Sequence, residues 1–178
     1  MEWNVSAALK QPGTPYQAEL LEAFPPQVFS GREVRFAEPV FVGFTYSFDG
    51  KALNLTGQLR AAWHEHCAGC DEPFVKTLQI PFEERFVKGT AADEAQSEAD
   101  DGIYRFEGES IKLSTMVLDN IFLHMPIRSL CRENCKGLCP VCGCNRNTTQ
   151  CTCVREGEHK QASPFAALDQ LLNDDKEV

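Results

Sequence analysis

Hydrophobic side chains recur at every second position in three consecutive runs between residues 40 and 87. The alternating positions are Val40, Val42, Phe44, Tyr46 and Phe48, then Leu53, Leu55, Gly57, Leu59, Ala61 and Trp63, then Phe74, Leu78, Ile80, Phe82 and Phe86. A period of two is typical of strands that bury one face. The three runs therefore predict an antiparallel meander of at least three strands.

Two short segments predict the turns of this meander. Asp49-Gly50 joins the first two runs and predicts a two-residue hairpin in which both residues have positive φ. Cys67-Ala68-Gly69-Cys70 falls between the second and third runs, where two sulfurs can face one metal ion and supply half of a tetrahedral site. A redox role for this pair is the alternative, but redox pairs place the first cysteine at a helix N-terminus.

Three segments predict short helices. Thr14-Pro15 has the cap and first-turn residues of a helix that ends before Pro25-Pro26. Ser114 is a candidate cap for a second helix, closed by Pro126, and Ser163-Pro164 begins a third. The third helix carries an apolar stripe, for which core packing is the simpler explanation and a partner surface the other: Phe165, Leu168 and Leu171.

The predicted fold is α+β: an antiparallel meander sheet with a few short helices and a cysteine-rich, zinc-binding C-terminal segment. Residues 89–102 are acidic and lack apolar periodicity, which predicts a flexible loop. Ile103 to Phe106 is expected to return to the sheet. We predict a β-rich core domain over residues 1–125 and a zinc-binding tail with a C-terminal helix over residues 126–178.

The cysteines are the main sign of chemistry. Seven lie close together in the tail: Cys131, Cys135, Cys139, Cys142, Cys144, Cys151 and Cys153. Thiolates at such short spacing suit a tetrahedral zinc site, and the tail has few large apolar residues to order it otherwise. An iron–sulfur cluster uses the same ligand type and is the alternative. His64 and His66, just before Cys67, are further candidate ligands.

The start of the sequence favours the cytoplasm. Met1 to Val5 lack the basic and apolar regions of a secretory signal. No run approaches the roughly 18 apolar residues of a membrane span, so we expect no membrane association. In a reducing compartment, closely spaced cysteines indicate metal or redox chemistry rather than disulfides.

Charge is unevenly distributed along the chain. The net charge of −9 argues against a protein that coats nucleic acid with positive surface. Residues 89–109 hold seven acidic residues against one basic residue, whereas residues 126–160 hold six basic residues against three acidic ones. Solvated surface charge is the simpler reading of the basic side chains. The functional reading makes five of them contacts for RNA or a partner protein: Arg128, Arg132, Lys136, Arg146 and Arg155.

Three segments resemble the bacterial YceD family, whose members are also called large ribosomal RNA subunit accumulation proteins. The most specific reads Cys135-Lys136-Gly137-Leu138-Cys139-Pro140-Val141-Cys142-Gly143, followed by Asn145-Arg146-Asn147 and Cys151-Thr152-Cys153. Cys67–Phe74 is similar to the family's Cys-x-x-Cys before Pro-Phe, and Ser163–Leu168 to its Pro-Phe-Ala-x-Leu ending. The resemblance extends over roughly residues 40 to 172. Cys144 departs from the family pattern, which leaves two sets of four cysteines.

Eight thiolates suit one or two zinc ions. Near pairs are expected to bind together, and the upstream pair needs two further ligands. We therefore hypothesise one site that staples the tail to the sheet and one ribbon-like site within the tail. The staple site consists of Cys67, Cys70, Cys131 and Cys135, and the ribbon site of Cys139, Cys142, Cys151 and Cys153.

The resemblance implies a role in bringing large-subunit ribosomal RNA to normal levels, during synthesis, processing or early assembly, and it implies no known catalytic activity. We expect a non-enzymatic ribosome-biogenesis factor whose partner is a precursor of large-subunit ribosomal RNA, a ribosomal protein, or both. No small-molecule substrate is expected. The alternative is a metal-dependent nuclease or a thiol redox protein with Cys144 as the reactive thiol. Four-cysteine sites argue against catalysis, because catalytic zinc keeps an open position.

Overall fold

A five-stranded sheet forms the centre of the fold. The computed structural model describes residues 1–89 and 103–153. The elements are β1 (Glu2–Asn4), α1 (Ser6–Lys10), β2 (Tyr16–Glu22), β3 (Gln27–Phe29), β4 (Arg32–Val34), β5 (Val40–Phe48), β6 (Ala52–His66), β7 (Pro73–Lys88), β8 (Tyr104–Phe106), β9 (Ser110–Lys112) and α2 (Ser114–Leu123). The central sheet has the order β2-β5-β6-β7-β8, and the pairs β1-β9 and β3-β4 form small ladders.

Strands β5, β6 and β7 form the predicted meander, but the whole sheet is not a strict meander. The three strands are antiparallel neighbours, with Gly57 of β6 opposite Phe44 of β5 and Phe82 of β7. Strand β8 returns to the sheet as expected, yet it runs parallel to β7. The connection from Lys88 to Tyr104 is long enough for such a return, since parallel neighbours need a crossover of a dozen or more residues.

The predicted helix after Thr14-Pro15 is wrong, because the segment forms strand β2. Tyr16, Ala18 and Leu20 alternate toward the core, and the strand pairs with β5 over its whole length. The ring of Tyr16 stacks on that of Tyr46 with centroids 5.6 Å apart. Tertiary pairing has therefore overridden the local helix-start signal.

The predicted turn at Asp49-Gly50 is displaced by one residue. Phe48 pairs with Leu53, and the Asp49 N–H donates to the Ala52 carbonyl, so Gly50 and Lys51 are the central residues. Only Gly50 of these has positive φ, at 94°. Asp49 instead accepts hydrogen bonds from the backbone N–H groups of Ala52 and Lys51, which lower its carboxyl pKa to about 2.

Helix α2 confirms the second predicted helix, although Ser114 is not its cap. Leu113 is the N-cap residue, and the Ser114 hydroxyl accepts a hydrogen bond from the Met1 amino group at 2.7 Å. Met116, Val117 and Ile121 are buried. Together with the inward residues of the sheet they form a single core cluster.

The hairpin of β6 and β7 positions the candidate site. Strand β5 ends its pairing with β6 at Arg60, whereas β6 continues to His66 against Pro73 of β7. Six further residues extend the hairpin by about 20 Å along the strand direction. The turn with Cys67 and Cys70 therefore lies at the tip of this extension.

Some predictions fall on residues that the structure does not describe. The helix after Ser163, residue Arg155 and the acidic loop beyond Gly89 belong to residues 90–102 and 154–178. The division between residues 1–125 and 126–178 stays a prediction. Neither helix in residues 1–89 and 103–153 has the length and apolar character needed to cross a membrane.

Candidate metal centres

The first cysteine cluster joins the hairpin tip to the tail. The Ala68 N–H donates to the Ser129 carbonyl at 2.8 Å, which holds the tail against the turn between β6 and β7. Four sulfurs then converge from both segments: Cys67, Cys70, Cys131 and Cys135. Cys67 and Cys70 are buried, with exposed fractions of 2% and 4%. This cluster therefore connects the sheet to the tail, with the two hairpin cysteines buried and the two tail cysteines half-buried.

The second cluster lies within a tight turn of the tail. The Cys139 N–H donates to the Cys144 carbonyl and the Gly143 N–H to the Cys139 carbonyl, each at 2.8 Å. Gly143 has a φ of 72°, which this turn requires and which favours glycine. The turn and the segment after it bring four more sulfurs together: Cys139, Cys142, Cys151 and Cys153. These are the two groups that the sequence spacing led us to expect.

The sulfur spacing in both clusters fits a single tetrahedral ion. In the first cluster, the sulfur of Cys67 lies 3.6 Å from that of Cys135, and Cys70 lies 3.7 Å from Cys131. In the second, the Cys151 sulfur lies 3.6 Å from Cys142 and 3.3 Å from Cys139. A tetrahedron with sulfur about 2.3 Å from zinc has edges of about 3.8 Å. All pairs within a cluster are within 4.8 Å, so both clusters have the size of a metal site.

Backbone N–H groups favour the thiolate form of cysteines in both clusters. Burial raises the pKa of Cys67, but hydrogen bonds from the backbone N–H groups of Cys131, Cys70 and Gly69 outweigh it and hold the pKa at about 6. The backbone N–H groups of Cys142 and Val141 lower the pKa of Cys139 to about 6. Because a metal binds the thiolate, these two sulfurs are prepared to bind a cation at neutral pH.

Asn147 contacts a cysteine of the first cluster, a role that sequence reasoning missed. Its side-chain amide donates to the Cys135 sulfur at 3.3 Å, and its Oδ1 accepts from the Lys136 N–H at 2.9 Å. Such outer partners orient a metal ligand and tune its charge. The motif Asn145-Arg146-Asn147 was visible in the sequence, but nothing in its spacing showed which asparagine would contact a sulfur.

Two glycines let the hairpin tip and the tail approach closely. A Cβ on Gly69 would lie 3.2 Å from the Cys135 sulfur, and one on Gly137 would lie 3.0 Å from the Gly69 carbonyl oxygen. The Leu138 N–H donates to the same Gly69 carbonyl at 3.0 Å. Gly137 also has a φ of 69°. The contact between the two turns therefore depends on the absence of side chains at these positions.

The histidines and the ninth cysteine lie outside both four-sulfur groups. The His66 ring contacts the Asp71 carbonyl at 3.0 Å, and neither His64 nor His66 belongs to a metal-sized group in the described part of the chain. The neighbouring Cys142 side chain and burial raise the pKa of the Cys144 thiol to about 12. A thiol kept protonated is a weak nucleophile, which counts against Cys144 as a redox residue.

Four of the five predicted basic contact residues are exposed around the clusters. They are Arg128, Arg132, Lys136 and Arg146. Lys136 and Arg146 are neighbours in the turn, because Gly137 accepts a hydrogen bond from the Arg146 N–H at 3.0 Å. Among residues 1–89 and 103–153, none of the four forms an ion pair within 4.0 Å.

Comparison with known protein families shows to which family this cysteine arrangement belongs. The family model described as large ribosomal RNA subunit accumulation protein YceD matches residues 55–172, a span that contains all nine cysteines. The chain belongs to the YceD family. The resemblance noted in the sequence is thereby confirmed.

Several curated relatives share part of this YceD-family chain. An uncharacterized protein of Mycobacterium tuberculosis is 33% identical over 89 residues, which cover 50% of this chain and 42% of the relative. The chloroplastic large ribosomal RNA subunit accumulation protein YCED homolog 1 of Arabidopsis thaliana is 36% identical over 66 residues, or 37% of this chain and 21% of the relative. The homolog of the same name from Zea mays is 46% identical over 46 residues, covering 25% and 16%.

The chain spans less than half the length of the curated relatives that it matches. No solved structure matches it significantly. Family membership therefore rests on the match over residues 55–172.

The hydrogen bond from Asn147 gives a first prediction. Replacing Asn147 with alanine should weaken metal binding at the first cluster by about 10-fold to 100-fold, the usual effect of losing an outer partner of a ligand. Competition with a metal-binding indicator would measure the affinity. Thr149→Ala, an exposed change two residues away, is the matched control and should leave the affinity unchanged. Equal affinities for the two variants would show that the Asn147 amide does not support the site.

Proposed function

We propose that this YceD-family protein is a non-enzymatic ribosome-biogenesis factor that supports the accumulation of large-subunit ribosomal RNA, with a tail shaped by two structural zinc ions. The observation that carries the proposal is the pair of closed four-sulfur clusters within the family match. Four thiolates fill every position of tetrahedral zinc, so no position is left for a substrate or an activated water. The cytoplasmic location stays a prediction.

The choice of zinc rests on sulfur spacing. Sulfurs 3.3 to 3.7 Å apart suit one central ion. An iron–sulfur cluster would distribute the four sulfurs over two or four irons and hold them further apart than one central ion does. The chemical softness of the ligand atoms also favours zinc, since four thiolates bind zinc in preference to hard cations such as magnesium.

The charge of the loaded clusters changes the electrostatics of the tail. Residues 126–153 contain four basic residues and one acidic residue, a formal charge of +3. Each zinc ion with four thiolates carries a formal charge of about −2, and such charges belong in any account of a metal site. The loaded tail is therefore close to neutral as a whole. Binding to phosphate would depend on individual side chains rather than on a broad positive field.

We propose that Lys136 and Arg146 make the contact with the ribosomal precursor. Both are exposed, adjacent in the turn and free of ion pairs within the described ranges. The partner is ribosomal RNA, a ribosomal protein, or both. RNA contacts would make binding fall steeply with salt, because each neutralised phosphate releases counterions.

Charge reversal tests this contact. Lys136→Glu combined with Arg146→Glu should reduce co-sedimentation with large-subunit precursors by about tenfold or more, because like charges at a contact are costly. Lys10→Glu combined with Arg60→Glu reverses two exposed charges on α1 and β6 and is the matched control. If the contact is with phosphate, the slope of the logarithm of the binding constant against the logarithm of the salt concentration should also become shallower by about one for each base removed. Unchanged association of the Lys136/Arg146 double variant would contradict the proposed contact.

A further inference from the structure

We infer that the two clusters bind metal cooperatively, because the loop that the second cluster closes carries side chains that support the first cluster. The inference rests on the proposed zinc sites and adds a coupling of binding free energies between them. The loop consists of residues 143–150, between Cys142 and Cys151 of the second cluster, and is the connecting loop of this proposal.

The first observation is that the connecting loop has no core of its own. None of residues 143–150 is buried. The sulfurs at its two ends, those of Cys142 and Cys151, lie 3.6 Å apart. One ion bound to both sulfurs would hold the ends of the loop together and remove much of its freedom in the unbound chain. The order of the loop therefore depends on the occupancy of the second cluster.

The second observation is that two asparagines of the connecting loop contact the first cluster and the hairpin tip. The Asn147 amide donates to the Cys135 sulfur at 3.3 Å, and its Oδ1 accepts the Lys136 N–H at 2.9 Å. The Asn147 N–H donates to Asn145 Oδ1 at 3.0 Å, and the Asn145 amide donates to Glu72 Oε1 at 3.1 Å. These hydrogen bonds extend from the loop to a ligand of the first cluster and to the end of the hairpin.

The third observation is that backbone contacts join the same two segments. The Arg146 N–H donates to the Gly137 carbonyl at 3.0 Å, and Leu138 forms an isolated antiparallel bridge with Asn145. Only residues 136–138 separate the last ligand of the first cluster from the first ligand of the second. The clusters therefore share one small unit of backbone, in which order at one end favours order at the other.

These contacts couple the two binding events. A metal that binds the first cluster alone gains the support of Asn147 only if the connecting loop becomes ordered, and ordering a loop costs conformational entropy. When the second cluster is already occupied, the loop is already ordered and that cost is lower. The coupling must act equally in both directions. Its expected size is about 10-fold to 100-fold in affinity, the usual effect of an outer partner of a ligand.

Hydrogen exchange of the full chain at a series of buffered free-zinc concentrations follows each cluster separately. The Ala68 amide, which donates to the Ser129 carbonyl, reports on the first cluster. The Gly143 amide, which donates to the Cys139 carbonyl, reports on the second. The free-zinc concentration at which each amide gains half of its protection gives one midpoint for each cluster.

Removal of the second cluster is the main test. In the double variant Cys142→Ser/Cys151→Ser, the midpoint of Ala68 should move to about 10-fold to 100-fold higher free zinc. Cys144→Ser is the matched control, because it changes a thiol of the same turn that lies outside both four-sulfur groups, and it should leave the midpoint unchanged. An unchanged Ala68 midpoint in the double variant would overturn the coupling.

The reverse experiment separates coupling from simple disruption of the tail. Removal of the first cluster in Cys70→Ser/Cys131→Ser should move the Gly143 midpoint by the same factor, because linkage is reciprocal. A shift in one direction only would overturn the coupling.

A double-mutant cycle tests the route through Asn147. Asn147→Ala should raise the Ala68 midpoint when the second cluster is intact and have little further effect in Cys142→Ser/Cys151→Ser, where the loop that positions the amide is no longer closed. Equal shifts in the two backgrounds would overturn the assigned route.

The wild-type response separates this inference from the proposed zinc sites. Protection of Ala68 and Gly143 that depends on zinc, with no shift of Ala68 in Cys142→Ser/Cys151→Ser, would overturn the coupling and leave the sites intact. Wild-type amides that do not respond to zinc at all would overturn the proposed sites and the coupling together.

Discussion

Removal of zinc from the loaded protein is expected to release the tail while the sheet stays folded. Between residues 126 and 153 only Ser129 and Cys139 are buried, so this segment has almost no apolar core. Structural zinc contributes apparent free energies of about 10–16 kcal/mol in small zinc domains. The sheet has its own core cluster around Leu59, Trp63 and Ile80, which does not depend on the clusters.

Hydrogen exchange would measure this effect. After chelation, protection should be lost at the amides that hold the turns together, among them Ala68, Leu138, Cys139 and Arg146. Amides at the centre of β6 should keep their protection, because local and global opening differ in free energy. Cys135→Ala should reproduce the loss at Ala68, whereas Cys144→Ala should not. Tail amides that remain protected without metal would contradict a metal-dependent tail.

Replacement of Gly57 with alanine is expected to lower the free energy of unfolding by about 3 kcal/mol, the upper end for overpacking. A Cβ at this position would lie 2.2 Å from the Gly43 carbonyl oxygen and 2.7 Å from the Phe44 Cα. Both atoms belong to the backbone of β5, so β5 and β6 would have to separate at the centre of the sheet.

Gly43→Ala is the matched control for Gly57→Ala. A Cβ there would meet the ring of Phe41 at 3.2 Å, and a ring at the sheet surface can move aside. Its expected cost is below about 1 kcal/mol, since alanine also restricts the unfolded chain. Urea denaturation of both variants would give their unfolding midpoints. A shift in midpoint measures a change in stability when the dependence of the unfolding free energy on urea is the same. Equal midpoints would show that β6 tolerates a side chain at Gly57.

The alternation of apolar residues predicted the three central strands and their buried faces, because burial on one side leaves a direct trace in the sequence. It did not predict β2, where a threonine and a proline mimic a helix start and the pairing with β5 decides the outcome. The parallel return of β8 was also missed, since orientation depends on the path of a long connection and not on the strand residues.

The candidate site could likewise be predicted from the sequence only in part. Spacing suggested which cysteines group together once the family resemblance had set Cys144 aside, because two or three residues between sulfurs permit one ion to be shared. The contact of Asn147 with Cys135 and the close approach of Gly69 and Gly137 arise from tertiary packing. No local pattern marks such contacts, so they appear only once the hairpin tip and the tail are placed against each other.

The most direct test of the account is the metal content of freshly purified, reduced protein. Native mass spectrometry combined with elemental analysis should find two zinc ions per chain, one in each four-sulfur cluster. A chain that carries no metal and keeps its tail folded would contradict the account.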